Sequence, residues 1–140
     1  MIPVRLILDT NILVSAALKP EGLQRTVFLL ALTAPARLYV SKPVLEEYDE
    51  VLRRKVLRIR GAIRQQFLAY IRNRAHLIKP SLLPEVTSDK EDLKFLECAD
   101  AARADYLITG NVRHFPRFWK STKIVTSREF IDLIAPHLLG

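Results

Sequence analysis

The chain has 140 residues, of which 49% are hydrophobic and 26% are charged. This length and composition predict one globular domain and exclude a disordered chain. The apolar runs are too short to cross a bilayer, and a single cysteine excludes an internal disulfide or a multi-cysteine metal site. We therefore expect a cytoplasmic protein without a membrane span, in which Cys98 is a small hydrophobic residue on a helix.

The positive charge is concentrated in one segment of the chain. The formal net charge is +7, from 22 Lys and Arg against 15 Asp and Glu. Residues 53–74 hold eight basic side chains and no acid, whereas the remainder is nearly neutral. We favour a polyanion or an acidic partner for this segment over a solvated helix face. The basic residues predicted to contact nucleic acid are Arg53, Arg54, Lys55, Arg58, Arg60 and Arg64.

In the first half of the chain, short apolar segments alternate with helical patterns. A strand is predicted over residues 4–8 and a helix over 11–18, which ends at the turn 19–22. A second, very apolar helix is expected over 23–34, stopped by Pro35, and a short strand over 37–40. Ser41 is a plausible N-cap for the next helix, and a further helix with basic side chains follows Gly61.

The second half continues this alternation. Strands are predicted over residues 76–79, 106–109 and 123–125, with a proline-containing loop over 80–87. Capping boxes at 88–91 and 126–129 open two helices, the last of which should stop near Pro136. No internal repeat or linker interrupts the pattern. The sequence therefore predicts an α/β sandwich around a mostly parallel sheet of five strands.

Asp9 stands where the first predicted strand ends, directly before Thr10 and Asn11. A carboxylate delivered by a buried strand is costly unless it is paired, hydrogen-bonded or bound to a cation. Capping of the following helix is the simple alternative, since aspartate is a common N-cap residue. Other acids at the same edge of the sheet would favour a functional role.

Polar residues follow four predicted strands, and the carboxyl ends of parallel strands meet at one edge of a sheet. These residues are Asp9, Glu46, Glu47, Asp89, Glu91, Asp92, Thr109, Gly110 and Asn111. Capping explains Asp89 and Glu91, but it does not explain a glutamate in the body of a helix. Clustered carboxylates suit Mg²⁺ or Mn²⁺, which can activate water for attack on a phosphoryl group. Together with the basic segment, the cluster predicts metal-dependent cleavage of nucleic acid.

Four segments in this order resemble a PIN domain, closest to the VapC-like toxins of bacterial toxin–antitoxin pairs. They are residues 8–11, 41–48, 89–96 and 104–111, and the closing segment 124–130 extends the resemblance over essentially the whole chain. The resemblance implies a three-layer α/β/α sandwich with an acidic pocket at the carboxyl edge of its sheet. It also implies a ribonuclease that uses Mg²⁺ or Mn²⁺ and leaves a 5′-phosphate and a 3′-hydroxyl.

The resemblance implies a role for individual residues as well. Asp9, Glu47 and Asp92 match the catalytic, metal-holding acids, while Asn11 and Thr109 match the polar residues that orient acids and waters. Asn111 stands where many members carry a fourth acid, which puts a second metal ion in doubt. His114, three residues further on, is more simply interpreted as a loop histidine.

The partners implied by the resemblance are RNA, a small antitoxin protein and a second copy of the chain in a homodimer. Two other functions are open. A phosphatase of the haloacid dehalogenase type also places an aspartate after its first strand, but it needs a second aspartate at position 11, where this chain has Asn11. A non-catalytic domain that binds nucleic acid or a partner remains the alternative function, because the fourth acid is missing.

Overall fold

The computed structural model describes residues 2–81 and 90–139. Twelve helices and strands are assigned within these ranges, and two short 3-10 turns at Lys55–Leu57 and Val112–His114 connect some of them. In chain order the elements are β1 (Val4–Leu8), α1 (Thr10–Leu18), α2 (Leu23–Ala31), β2 (Ala36–Val40), α3 (Lys42–Leu52), α4 (Gly61–Arg74), β3 (His76–Leu77), α5 (Lys90–Ala102), β4 (Tyr106–Ile108), β5 (Phe118–Trp119), β6 (Thr122–Val125) and α6 (Ser127–Leu139).

The strands form one sheet in the order β3-β2-β1-β4-β6-β5. All neighbouring pairs are parallel except β5 and β6, which are antiparallel. The register places Leu6 opposite both Leu38 and Tyr106, so β1 lies in the centre with β2 on one side and β4 on the other. Helices flank the sheet, in agreement with the predicted α/β/α sandwich.

The number of strands differs from the predicted one. Five strands were expected and the described residues form six, because Phe118–Trp119 pairs with β6 as an added edge strand. A strand of two residues is too short to show an alternating pattern, so periodicity cannot detect it. The third strand is also shorter than predicted, at two residues rather than four.

Helix ends differ from the predicted ones in two places. The second helix ends at Ala31 rather than Ala34. The final helix continues through Pro136, where the missing N–H removes only one bond near the helix end while Phe130 and Ile134 hold the helix on the core.

The capping box at 126–129 is present, since Glu129 accepts from the Thr126 N–H and the Thr126 hydroxyl accepts from the Glu129 N–H. Residues 88 and 89 of the other box, and most of the 80–87 loop, lie outside the described residues.

The core lies between the sheet and its helices. Leu6, Ile7 and Leu8 of β1 are fully buried, as expected for a central strand covered on both faces. Helix α5 packs against β1, β2 and β4, and it carries Cys98 into the core. Burial raises the pKa of the Cys98 thiol to about 12, so this cysteine is an inert hydrophobic residue. None of the helices in the described ranges is long and apolar enough to cross a membrane.

Candidate active site

The strand order reverses direction at β1 and β4, and this is where the polar residues collect. From β1 the chain proceeds outward to β2 on one side, while β4 and β6 occupy the other. Open parallel sheets bind ligands in the crevice that such a switch point leaves beyond the carboxyl ends of its strands. Asp9 follows β1 and Thr109 follows β4 at this point.

Asp9 is held by three donors and is 8% exposed. Its Oδ1 accepts from the Thr10 backbone N–H at 2.8 Å, which makes Asp9 the N-cap of α1. Its Oδ2 accepts from the Thr109 hydroxyl at 2.7 Å and from the Asn11 amide at 3.2 Å. The cap proposed as the simple alternative is therefore real, and it leaves the second oxygen to the polar residues around it.

Burial raises the pKa of the Asp9 carboxyl, and the negative charge of Glu47 raises it further. The hydrogen bonds from Thr109 and Thr10 lower it, as does the nearby His114, but burial has the largest effect. A carboxylate in this state carries a charge that its surroundings compensate incompletely. Such a group is a candidate for binding a cation.

Asn11 connects the two central strand ends. Its Nδ2 donates to Asp9, and its Oδ1 accepts from the Gly110 N–H at 3.1 Å. Thr109 makes a second connection, because its buried hydroxyl accepts from the Asn111 N–H at 2.9 Å while it donates to Asp9. These side chains fix the loop after β4 against the start of α1.

Glu47 reaches the same place from α3. Ser41 caps that helix by accepting from the Val44 N–H, and the buried Tyr48 hydroxyl donates to the Leu8 carbonyl at the end of β1. Tyr48 thereby fixes the neighbouring Glu47 beside Asp9, and burial raises the pKa of the Tyr48 phenol well above its usual value. One Glu47 oxygen accepts from the Thr10 hydroxyl and the other from Lys94 Nζ at 2.8 Å.

Asp92 lies in the first turn of the described part of α5 and is 8% exposed. The Nδ1 of His114 lies 3.9 Å from one of its carboxylate oxygens. His114 belongs to the 3-10 turn after β4, so it is a loop histidine as expected, but it also faces the acids. The turn thus brings an imidazole to the edge of the carboxylate cluster.

The three acids line one open cavity of about 960 Å³. Asn11 and Asn111 line it too. The fully buried Thr109 does not line it but donates a hydrogen bond to Asp9, which does. Sequence reasoning missed Thr10 and Lys94, which also line this cavity. Thr10 adjoins Asp9, but a lysine in an early turn of a helix predicts solvent exposure rather than contact with an acid.

Glu46 lines the cavity from an exposed position, whereas Glu47 points inward to Thr10 and Lys94. Glu46 has no hydrogen bond or ion pair in the part of the chain that is described. The two neighbouring glutamates are therefore distinguished by what they contact.

The basic segment divides into paired and unpaired residues. Arg53 and Arg64 contact Asp49 at 2.9 and 3.4 Å, and Arg54 contacts Glu50 at 3.0 Å. These acids stand on α3 just before the segment, so part of its charge is neutralised locally. Lys55, Arg58 and Arg60 are exposed, and none of them forms an ion pair within residues 2–81 and 90–139. Arg54, Val56 and Leu57 line the end of the cavity nearest to them.

The side chains of the cavity fit a hard divalent cation, because they offer carboxylate and amide oxygens. Two of the acids, Asp9 and Asp92, are also buried. As the side chains stand, no three His, Cys, Asp or Glu residues in the described ranges are placed to share one ion. An ion here would therefore contact one or two protein carboxylates and fill its other positions with water, which is how Mg²⁺ is commonly bound.

The chain is thus an α/β protein with a mostly parallel sheet and an acidic cavity at the switch point of that sheet. A family model described as PIN domain matches residues 5–113. The chain belongs to the PIN domain family.

Comparison with solved structures found a chain in the crystal structure of VapBC2 from Rickettsia felis bound to a DNA fragment from their promoter. The two chains share 20% sequence identity with a TM-score of 0.61, over 88% of this chain and 98% of the other. This likeness concerns the fold. A search of curated proteins gave no match.

Proposed function

We propose that this protein is an endoribonuclease that depends on Mg²⁺ or Mn²⁺ and serves as the toxin of a toxin–antitoxin pair. One observation carries the proposal. Asp9, Glu47 and Asp92 come from three separate elements and line one cavity at the switch point of the sheet. Burial of like charges at one place is unfavourable for stability alone, which supports a functional reason for their convergence.

The residues of the cavity have separate tasks in this proposal. Asp9 and Asp92 would hold the ion, with Glu47 beside them, directly or through water. When bound, a divalent ion supplies a positive charge that polarises the phosphodiester and favours ionisation of a water. Thr109 and Asn11 hold the Asp9 carboxylate in place through their hydrogen bonds to its Oδ2. The water-accessible cavity leaves room for the phosphodiester next to the acids.

The basic side chains near Arg54, at the end of the cavity, support the proposal that the substrate is a polyanion. Arg54 lies at the cavity wall, and Lys55, Arg58 and Arg60 follow it with exposed, unpaired side chains in the described structure. A strand whose scissile phosphate lies at the acids would pass its neighbouring phosphates along this wall. Arginine suits such contacts because its planar fork binds phosphate oxygens in pairs.

The toxin role rests on the likeness to a chain of the VapBC2 crystal structure, in which the complex is bound to a DNA fragment from their promoter. By analogy we propose a small antitoxin as a partner of this protein, a homodimer as its assembly, and the cytoplasm as its location. Co-expression with the product of an adjoining short reading frame, followed by size-exclusion chromatography, tests both protein contacts.

The activity is tested with purified protein and single-stranded and structured RNA in Mn²⁺ or Mg²⁺. We expect cleavage that leaves 5′-phosphates, and a loss of at least about 100-fold in rate for Asp9→Asn. Asp132→Asn is the matched control, because Asp132 is exposed on α6 and does not line the cavity. Equal cleavage by the wild type and Asp9→Asn, or no cleavage with either metal, would contradict the proposal.

A non-catalytic binding domain is the second candidate function. Two features favour it: Asn111 lacks the charge of an acid, and both oxygens of Glu47 already have donors. RNA binding by the wild type that is equal in chelator and in Mn²⁺, with no cleavage in either, would establish this alternative.

A further inference from the structure

Lys94 is a cation inside the acidic cavity. Its Nζ lies 2.8 Å from Glu47 Oε1, and the two side chains are 25% and 15% exposed. In each of the other ion pairs of the described residues, at least one side chain is 37% exposed or more, as in Lys120 with Asp100. The covered part of this side chain includes a charged end whose lost hydration a partner has to replace.

The position of Lys94 also sets the charge of the cavity. Arg54 is paired with Glu50, and Glu46 is exposed, so neither changes the charge at the inner acids. With histidine counted as neutral, the three inner carboxylates carry a formal charge of −3, and the ammonium of Lys94 reduces it to −2. One divalent cation balances that charge, whereas a second would leave the cavity positive. Asn111 adds no charge at the position next to them.

We propose that Lys94 is a positioning residue that takes the place of a cation at Glu47 and limits the cavity to one divalent ion. It holds Glu47 Oε1 while the Thr10 hydroxyl holds Oε2, so the carboxylate is fixed in the metal-free protein. An ion that approached this oxygen directly has to displace the ammonium. The ion therefore binds on the side of Asp9 and Asp92. The limit to one ion rests on the proposed function, whereas the ion pair between Lys94 and Glu47 does not.

The first test uses thermal unfolding of the metal-free protein in chelator. Lys94→Met keeps the length of the side chain and removes its charge, and we expect Tm to fall by about 3–8 °C. In the Glu47→Gln background the same substitution should lower Tm much less, because no partly buried carboxylate at position 47 is left without its cation. Lys120→Met, which breaks an exposed pair of the same kind, is the matched control and should show a smaller fall.

The second test is calorimetric titration with Mn²⁺ at low salt. We expect one ion on the wild type, and for Lys94→Met an affinity at least about tenfold higher, or a second ion, because a repelling charge a few Å away has gone. Lys94→Arg, which keeps the charge, should still bind one ion. A gain in metal affinity separates this role from a structural one, since a merely structural loss weakens the site.

The outcomes of the two tests separate this inference from the proposed function. Unchanged Mn²⁺ binding by Lys94→Met, or equal Tm losses in both Glu47 backgrounds, would overturn the role of Lys94 even in an active ribonuclease. If neither the wild type nor Lys94→Met binds Mn²⁺, the limit to one ion is overturned as well. If the tests give the expected results but no RNA is cut, only the ribonuclease proposal fails.

Discussion

Two aspartates in this protein face opposite electrostatic conditions. Asp9, at the carboxyl end of β1, is buried, and that burial raises the pKa of its carboxyl. Asp49, on the outer face of α3, has its carboxyl pKa lowered by hydrogen bonds and charge from Arg53 and Arg64. Both carboxyls are charged in water at neutral pH, but only Asp9 has its charge held at a cost to the fold. A group held at such a cost is where a binding function is expected.

The same contrast holds between two ion pairs. Lys94 contacts Glu47 at 2.8 Å in a largely enclosed position, whereas Arg53 contacts Asp49 at 2.9 Å with side chains that are 60% and 37% exposed. Nearly equal distances thus describe unequal interactions. Solvent screens the exposed pair to about 0–1 kcal/mol, while removal of one partner from an enclosed pair leaves a charge uncompensated.

The largest effect should separate the two neighbouring glutamates of α3. We expect Glu47→Gln to lower RNA cleavage by at least about 100-fold, because it removes a charge that adjoins Asp9 inside the cavity. Glu46→Gln should change it by less than about threefold, since Glu46 is exposed. Single-turnover rates in Mn²⁺ measure both. Similar losses for the two variants would remove the assignment of the second catalytic acid to Glu47.

A second prediction compares two buried threonine hydroxyls. Thr109 donates to the Asp9 carboxylate at 2.7 Å, and Thr122 donates to the Ala104 carbonyl at the same distance. Thr109→Val should cost about 1.5–3 kcal/mol of unfolding free energy and Thr122→Val about 1 kcal/mol, because bonds to charged groups are stronger. Urea unfolding at neutral pH in chelator measures both values. A larger loss for Thr122→Val would indicate that Asp9 is not charged at that pH.

A third prediction concerns the unpaired basic residues. Replacing Lys55, Arg58 and Arg60 together by Gln should weaken RNA binding by about tenfold and reduce the salt slope of binding by roughly 0.7 per lost phosphate contact. Replacing the acid-paired Arg53 alone should change the slope little, because its charge is already partly neutralised by Asp49. Binding to a metal-free Asp9→Asn protein at several salt concentrations measures the slope. An unchanged slope for the triple variant would assign this segment to another role, such as an acidic protein partner.

The comparison also shows how far the sequence determines the site. Asp9 and Thr109 could be placed together in advance, because each follows an apolar strand and parallel strands end at one edge. The contact of Lys94 with Glu47 could not, since it depends on how α5 packs beside α3 and not on spacing within either helix. The same limit applies to the added strand at Phe118–Trp119, whose pairing with β6 is a tertiary contact. Local patterns thus predict which residues reach the edge, and packing decides which charges meet there.

The smallest effect concerns how the two aspartates change the free energy of unfolding as pH changes. The change has opposite signs for Asp9 and Asp49. The raised pKa of Asp9 means that its carboxyl contributes stability below its unfolded value of 3.8, and that this contribution is lost as pH rises through the folded pKa. Asp9→Asn should therefore become more stable relative to the wild type as pH rises above 3.8 in chelator. The lowered pKa of Asp49 has the reverse consequence, since its contribution is present above 3.8 and is lost as pH falls through the folded pKa.

Asp49→Asn should accordingly lose stability relative to the wild type as pH rises through the folded pKa of Asp49 towards 3.8, and by little because Asp49 is partly exposed. Urea midpoints of the three proteins at several pH values measure these differences. Parallel curves for both variants would show that burial does not dominate at Asp9, and that the hydrogen bonds from Thr109 and Thr10 compensate its charge. In that case burial of Asp9 would create no electrostatic demand for a cation in the cavity.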